Sequence, residues 1–214
     1  RSSDLSKRIM DVLTHLCDLI ANHYEVSRIV IPAFKCIYFI LSSDGMDYIY
    51  QDEEKSIIIG EKIHHVILKE IKGSRDIVKI LASVPLFVIL INFPLKIQTM
   101  SLYKCLLLLL HRYPKVRQIC ATELYTMIET TFYGQDTLIK EVQQVLTQTA
   151  WDQPAALIRS FRNQLYHLFP TLTIPASALK QKSAYLEKKR REQMKKSAYT
   201  GGYADLVNEM AVVN

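Results

Sequence analysis

Side chains that could do chemistry are few in this chain, and they are poorly grouped. His64 and His65 are neighbours, and adjacent helical residues point in different directions, so the two rings cannot converge on one metal or one proton; both read as surface or boundary histidines. His15 and Cys17 stand two apart, a spacing that also divides them between helix faces. His111 precedes Arg112 at what reads as a helix end, where a positive charge complements the terminal carbonyls, so it reads as a capping group, not a catalytic one. Asp52, Glu53 and Glu54 fall in a polar stretch with nothing apolar to bury them and raise a carboxyl pKa. No HExxH, GxSxG, GxGxxG or GxxxxGK[ST] occurs. The four cysteines, Cys17, Cys36, Cys105 and Cys120, are far apart and each sits in an apolar helical pattern, with no CxxC. They read as buried free thiols. No enzymatic activity, metal or cofactor is expected.

The elements that carry these residues are helices. The stretch from Pro94 to Phe132 organises the chain: an apolar helix, a tight turn at Tyr113–Pro114, then an amphipathic helix. Val116, Ile119, Cys120, Leu124, Met127 and Ile128 recur at helical spacing and define one buried face of the second helix. Pro114 suits a first helical turn, where its missing N–H would have had no partner. A turn this short folds the two helices back antiparallel. Leu106 to Leu110 offers no polar side, so this helix needs cover from its partner and from neighbouring pairs, as in a repeat array.

The same pattern runs along the chain. Leu5, Ile9, Val12, Leu16, Leu19 and Ile20 form a first stripe, and a second helix runs from Ser27 to Ser42 with Pro32 near its start. Met46 to Glu54 reads as a loop. Lys55 to Lys72 is helical by length despite its β-branched content. Gly73–Ser74 then separates it from a helix over Arg75–Ile91 that Pro85 kinks, with Ser74 as N-cap. Two more helices follow Asp136 and Asp152. The fold class expected is all-α, a HEAT/armadillo-like repeat array (α-solenoid) of antiparallel helix pairs over residues 1–170. Residues 171–214 read as a linker and basic tail, a short helix or disordered.

No signal peptide is legible at residues 1–20, and the opening at Arg1 suits an excised fragment. The apolar run from Ile80 to Phe93 is broken by Pro85 and Asn92, so no transmembrane segment is expected. The net charge of +6 is local: Lys180 to Lys196 holds eight basic and two acidic residues, and the remainder is balanced. Lys188, Lys189, Arg190 and Arg191 are therefore candidates for meeting an acidic surface, without the interleaved aromatics of a specific nucleic-acid reader. Lys115 and Arg117, at the inter-helix turn, are candidates for facing a partner. Trp151, the sole tryptophan, reads as a wedge between helices.

At Leu109–Glu129 the chain resembles a known family. LLHRYPKVRQICATELYTMIE, followed by the segment from Val142 to Arg162 with its TAWD at Thr149–Asp152, is similar to the C-terminal region of tubulin-folding cofactor D. The matching positions are His111, Tyr113, Pro114 and Val116 in the HxYPKVR run, Ala121, Leu124 and Tyr125 in the A-x-x-LY helix, and Trp151 and Asp152 in TAWD. PAFKCIYFIL at Pro32–Leu41 and RDIVKILA at Arg75–Ala82 extend the resemblance to roughly residues 1–168. It implies the last HEAT-type units of a larger solenoid with no chemistry of its own. The implied partners are β-tubulin, cofactors C and E and an Arf-like small GTPase, in the cytoplasm with the microtubule cytoskeleton. Two other readings stand beside it: a HEAT or armadillo scaffold unrelated to tubulin, and a module that binds acidic surfaces through its basic tail.

Overall fold

The computed structural model describes residues 2–43, 46–50, 52–169 and 171–172, and the described residues contain helices and turns without a strand. Eight long helices and one short one follow in order: α1 (Ser2–Asn22), α2 (Ser27–Leu41), α3 (Asp47–Tyr50), α4 (Glu53–Ile71), α5 (Ile77–Ile89), α6 (Leu95–Leu108), α7 (Pro114–Thr131), α8 (Asp136–Gln148) and α9 (Ala155–Leu168). The long ones form four antiparallel pairs, the expected all-α repeat array.

Local chemistry sets the boundaries. The Asp52 carboxylate accepts from the Lys55 N–H and caps α4, and Asp76 does the same for α5 through the Lys79 N–H, each at 3.1 Å. The α5 cap is therefore Asp76 and not Ser74, whose hydroxyl instead accepts from the Asp76 N–H at 3.2 Å and holds the turn. The stretch expected as a loop over Met46–Glu54 contains α3 and the start of α4, because Met46 and Ile49 are apolar enough to bury against the array. Gly73 and Gly134, with φ of 73° and 84°, lie just past α4 and α7 in the left-handed region that a side chain disfavours. Pro114 opens α7 as expected.

Stacking of the first three pairs is regular. α1, α4 and α6 form one layer and α2, α5 and α7 the other. Within each layer the helices run parallel. Asp18 pairs with Lys62 at 2.8 Å and, six residues on, the Tyr24 hydroxyl meets the Lys69 carbonyl at 3.5 Å. Lys96 pairs with Glu61 beside Gly60, whose missing side chain lets Ile97 and Phe93 approach. Ser27 meets Asp76 at 2.5 Å at the starts of α2 and α5, and Thr131 meets Asn92 at 2.6 Å at the far ends of α7 and α5.

The fourth pair departs from this rule. α8 lies against α7, and α9 reaches α6, where Tyr166 packs on Tyr103 at 6.1 Å. Both are antiparallel to these neighbours, so the last pair sits crossed on the array.

Burial corrects three readings. In α1 the buried face is Ser6, Leu13, Cys17 and Ile20, while Leu5, Val12 and Leu19 are 45%, 48% and 39% exposed. Only one flank of the broad apolar stripe meets α2 and α4; the other joins Cys36, Phe39 and Ile40 of α2 on an outward apolar face. Cys36 is consequently exposed, unlike Cys17, Cys105 and Cys120. His64 is buried rather than at the surface, edge-on to Phe87 at 5.4 Å, because α6 covers its side of α4, whereas His65 is exposed.

Candidate functional site

The turn between α6 and α7 brings together most of the family-motif residues, and Arg117 organises it. Lying in the first turns of α7, Arg117 is only 3% exposed. Its guanidinium donates to five backbone carbonyls: Trp151 at 2.7 Å, Asp152 at 2.9 Å, Gln153 at 2.8 Å, His111 at 2.6 Å and Arg112 at 3.3 Å. A planar, permanently charged fork is the side chain that can satisfy several carbonyls from two turns at once. The expectation that Arg117 faces a partner is therefore corrected: it clamps the α8–α9 turn to the α6–α7 turn. Lys115, two residues earlier, is exposed and pairs with no carboxylate among the described residues.

Trp151 is buried as a wedge, its indole N–H donating to the Leu146 carbonyl at 2.8 Å. His111 is half-buried, and its Nδ1 accepts from the Tyr113 N–H at 3.3 Å. Burial first, then the charges of Arg112, Lys104 and Arg117, push its pKa below the usual imidazole value. It therefore does not supply the positive charge to the helix end that its position suggests. Tyr113 carries Arg112 over its ring at 4.5 Å. Val116, Ala121 and Leu124 are core, while Pro114, Tyr125 and Asp152 are exposed.

Between α7 and α8 a shallow groove runs past Gln118, Thr122, Tyr125, Thr147, Thr149 and Asp152, floored by Trp151. Of these, Tyr125, Thr149, Trp151 and Asp152 were legible as motif residues; Gln118 and Thr122 of α7 and Thr147 of α8 were not, since no motif marks them and only the packing of α8 on α7 brings them together.

Among the described residues, the groups that could act on a bond are shifted away from reactivity or stand apart. Burial pushes the Cys17 thiol up to about 12 and raises Cys120 as well, so neither is a ready thiolate. The Lys55 side chain and N–H hold Asp52 below the usual carboxylate range. Glu123 is raised by burial but lacks a carboxylate or histidine hydrogen-bond partner among the described residues. No cluster of three potential metal ligands and no helix long and apolar enough to cross a membrane occurs among the described residues. Lys188, Lys189, Arg190 and Arg191 lie outside the described residues.

Comparison with known proteins bears on residues 2–79. No solved structure matches it significantly. Residues 2–79 match the family described as Tubulin folding cofactor D C terminal. The match takes in PAFKCIYFIL and the start of RDIVKILA, and it stops before the HxYPKVR and TAWD runs. Over its helices α1 to α4 and the first turn of α5, the chain is similar to the C-terminal region of tubulin folding cofactor D.

Proposed function

We propose that the chain is a non-enzymatic protein-binding module that helps assemble or disassemble the αβ-tubulin heterodimer in the cytoplasm. The family match over residues 2–79 carries this reading. The partners proposed are β-tubulin, the partner cofactors C and E and an Arf-like small GTPase. Support comes from the architecture: stacked pairs present long side surfaces and flex by small rotations between repeats, which suits clasping a subunit. The outward apolar face of α1 and α2, with Phe39 75% exposed, is where a further helix pair would stack.

A pull-down of the whole chain against purified tubulin, cofactors C and E, and the GTPase in its GTP- and GDP-loaded forms tests the reading. A form ending near Pro170 is run in parallel. Retention of at least one partner by both forms places function on the array. Failure to retain any of them overturns the proposal.

A further inference from the structure

Charge is not spread evenly over the array. Because the layers stack in parallel, all the turns within pairs lie along one edge. The α1–α2 turn touches the α4–α5 turn through Glu25 N–H to Glu70 at 3.1 Å and Ser27 to Asp76 at 2.5 Å. The α6–α7 turn is bound to the α8–α9 turn through Arg117. Asn92 and Thr131 fix the far ends of α5 and α7 together, and counting back at the helical rise starts the two helices within about 3 Å of the same level along their axes. Four turns thus make one continuous edge.

Six exposed cations stand on it: Arg28, Lys69, Lys72, Arg75, Arg112 and Lys115. None forms an ion pair; the salt bridges among the described residues use other basic side chains. Lys69 and Arg112 instead lie over the rings of Tyr24 at 5.0 Å and Tyr113 at 4.5 Å, which leaves their charge unneutralised. The acids of the same turns do not balance them. Glu25 and Asp152 are exposed, but Glu70 is buried on Lys79 and Asp76 is committed to Ser27 and the α5 cap. The opposite edge is mixed, with exposed Glu53, Glu54, Glu129 and Asp136 beside exposed Lys7, Arg8, Lys55, Lys96 and Lys140.

We infer that this edge of paired-helix turns is a docking surface for an acidic polypeptide segment. The cations are grouped by helix pair, a spacing that an extended chain with alternate acidic side chains can follow. The edge's aromatic rings, Tyr24 and Tyr113, already serve as seats for its own cations, so none is left as a platform for stacked bases. Complementary charge of this kind sets encounter rate and register more than final affinity, so binding is fast and falls with salt. The inference stands apart from the identity of the partner and does not require tubulin.

The test is anisotropy of a labelled poly-glutamate peptide titrated with the full chain and with its R28Q/K69Q/K72Q/R75Q/R112Q/K115Q form. All six residues are exposed, and circular dichroism checks that the helices remain. The expected loss is at least about tenfold, with the subsets R28Q/K69Q/K72Q/R75Q and R112Q/K115Q each losing part of it. A K188Q/K189Q/R190Q/R191Q form and a K7Q/K140Q form serve as comparisons and retain most of the binding. Unchanged binding by the six-residue variant, or loss confined to the 188–191 variant, overturns the inference. So does tighter binding of single-stranded poly-dT or phosphatidylserine vesicles to the same six residues, which would assign the edge to nucleic acid or to lipid.

Discussion

Lys79 and Glu70 face each other across the α4–α5 turn at 2.8 Å, with side chains 4% and 1% exposed. The other carboxylate oxygen of Glu70 accepts the Glu25 N–H at 3.1 Å, and Glu25 holds a φ of 64° that a non-glycine residue adopts at a cost. One buried pair thereby ties two turns of the array.

Removing only the cation leaves a buried charge. Lys79→Met is expected to lower unfolding free energy by about 3 kcal/mol or more. Lys79→Met with Glu70→Gln is expected to cost less than Lys79→Met alone, because the amide oxygen still accepts from Glu25. Urea unfolding of the four forms of the cycle measures this, and a double variant weaker than the Lys79 single would sink the account.

Arg117→Lys separates charge from geometry. Lysine keeps the positive charge but cannot fork among five carbonyls, so the expected cost is about 2 kcal/mol, with Arg117→Ala higher at roughly 3 to 4 kcal/mol. Hydrogen exchange should quicken first at the α8–α9 turn. Equal protection there in the lysine form and the parent would show that charge alone suffices.

Acid should loosen the array through His64. Burial lowers its pKa below the ordinary 6.5, with Lys104 and His65 adding to this and a hydrogen bond at Met100 opposing it, and Nε2 has no partner to welcome a proton. The unfolded chain therefore takes up this proton first. The corresponding stability is complete above about pH 6.5 and is lost as pH falls from there through the folded value. His111, also lowered, acts in the same direction. The melting temperature of His64→Leu should fall less steeply between pH 7.5 and pH 5.5 than that of the parent. Parallel slopes would remove His64 from the explanation.

Gly60 lets α4 approach Phe93 and the α6 residue Ile97 closely. A Cβ there would lie 3.0 Å from both Ile97 Cγ1 and Phe93 Cδ1, and 3.2 Å from Ile97 Cγ2. Alanine gains about 1 kcal/mol in helix propensity, but overpacking costs about 1 to 3 kcal/mol, so Gly60→Ala should come out net destabilising by about 1 kcal/mol. A variant more stable than the parent to urea would mean that Ile97 and Phe93 give way freely.

Helix existence was legible wherever the apolar period was long and punctuated: Pro114 at the head of α7 and the glycines after α4 and α7 are sequence signals with one physical meaning. The direction of each face was less legible. Leu5, Val12 and Leu19 share a stripe with Ile20, and only stacking decides which flank is covered. Arg117 was misread for a related reason. It looks like a surface residue until the carbonyls it serves are known, and Trp151, Asp152 and Gln153 come 34 to 36 residues later. The unpaired cations of the turns were visible singly, but their alignment depends on parallel stacking that no local pattern encodes.

The crossing of α8 and α9 gives the array a polarity. Each of the first three pairs offers the next a parallel seat in both layers, so the stack can be copied indefinitely in principle. After α9 that template is gone, since each layer now ends in a helix of reversed direction. The α1–α2 face, still apolar and in regular order, retains it. Among the described residues, a parallel seat of the kind the first three pairs share is thus left open at the Phe39 end.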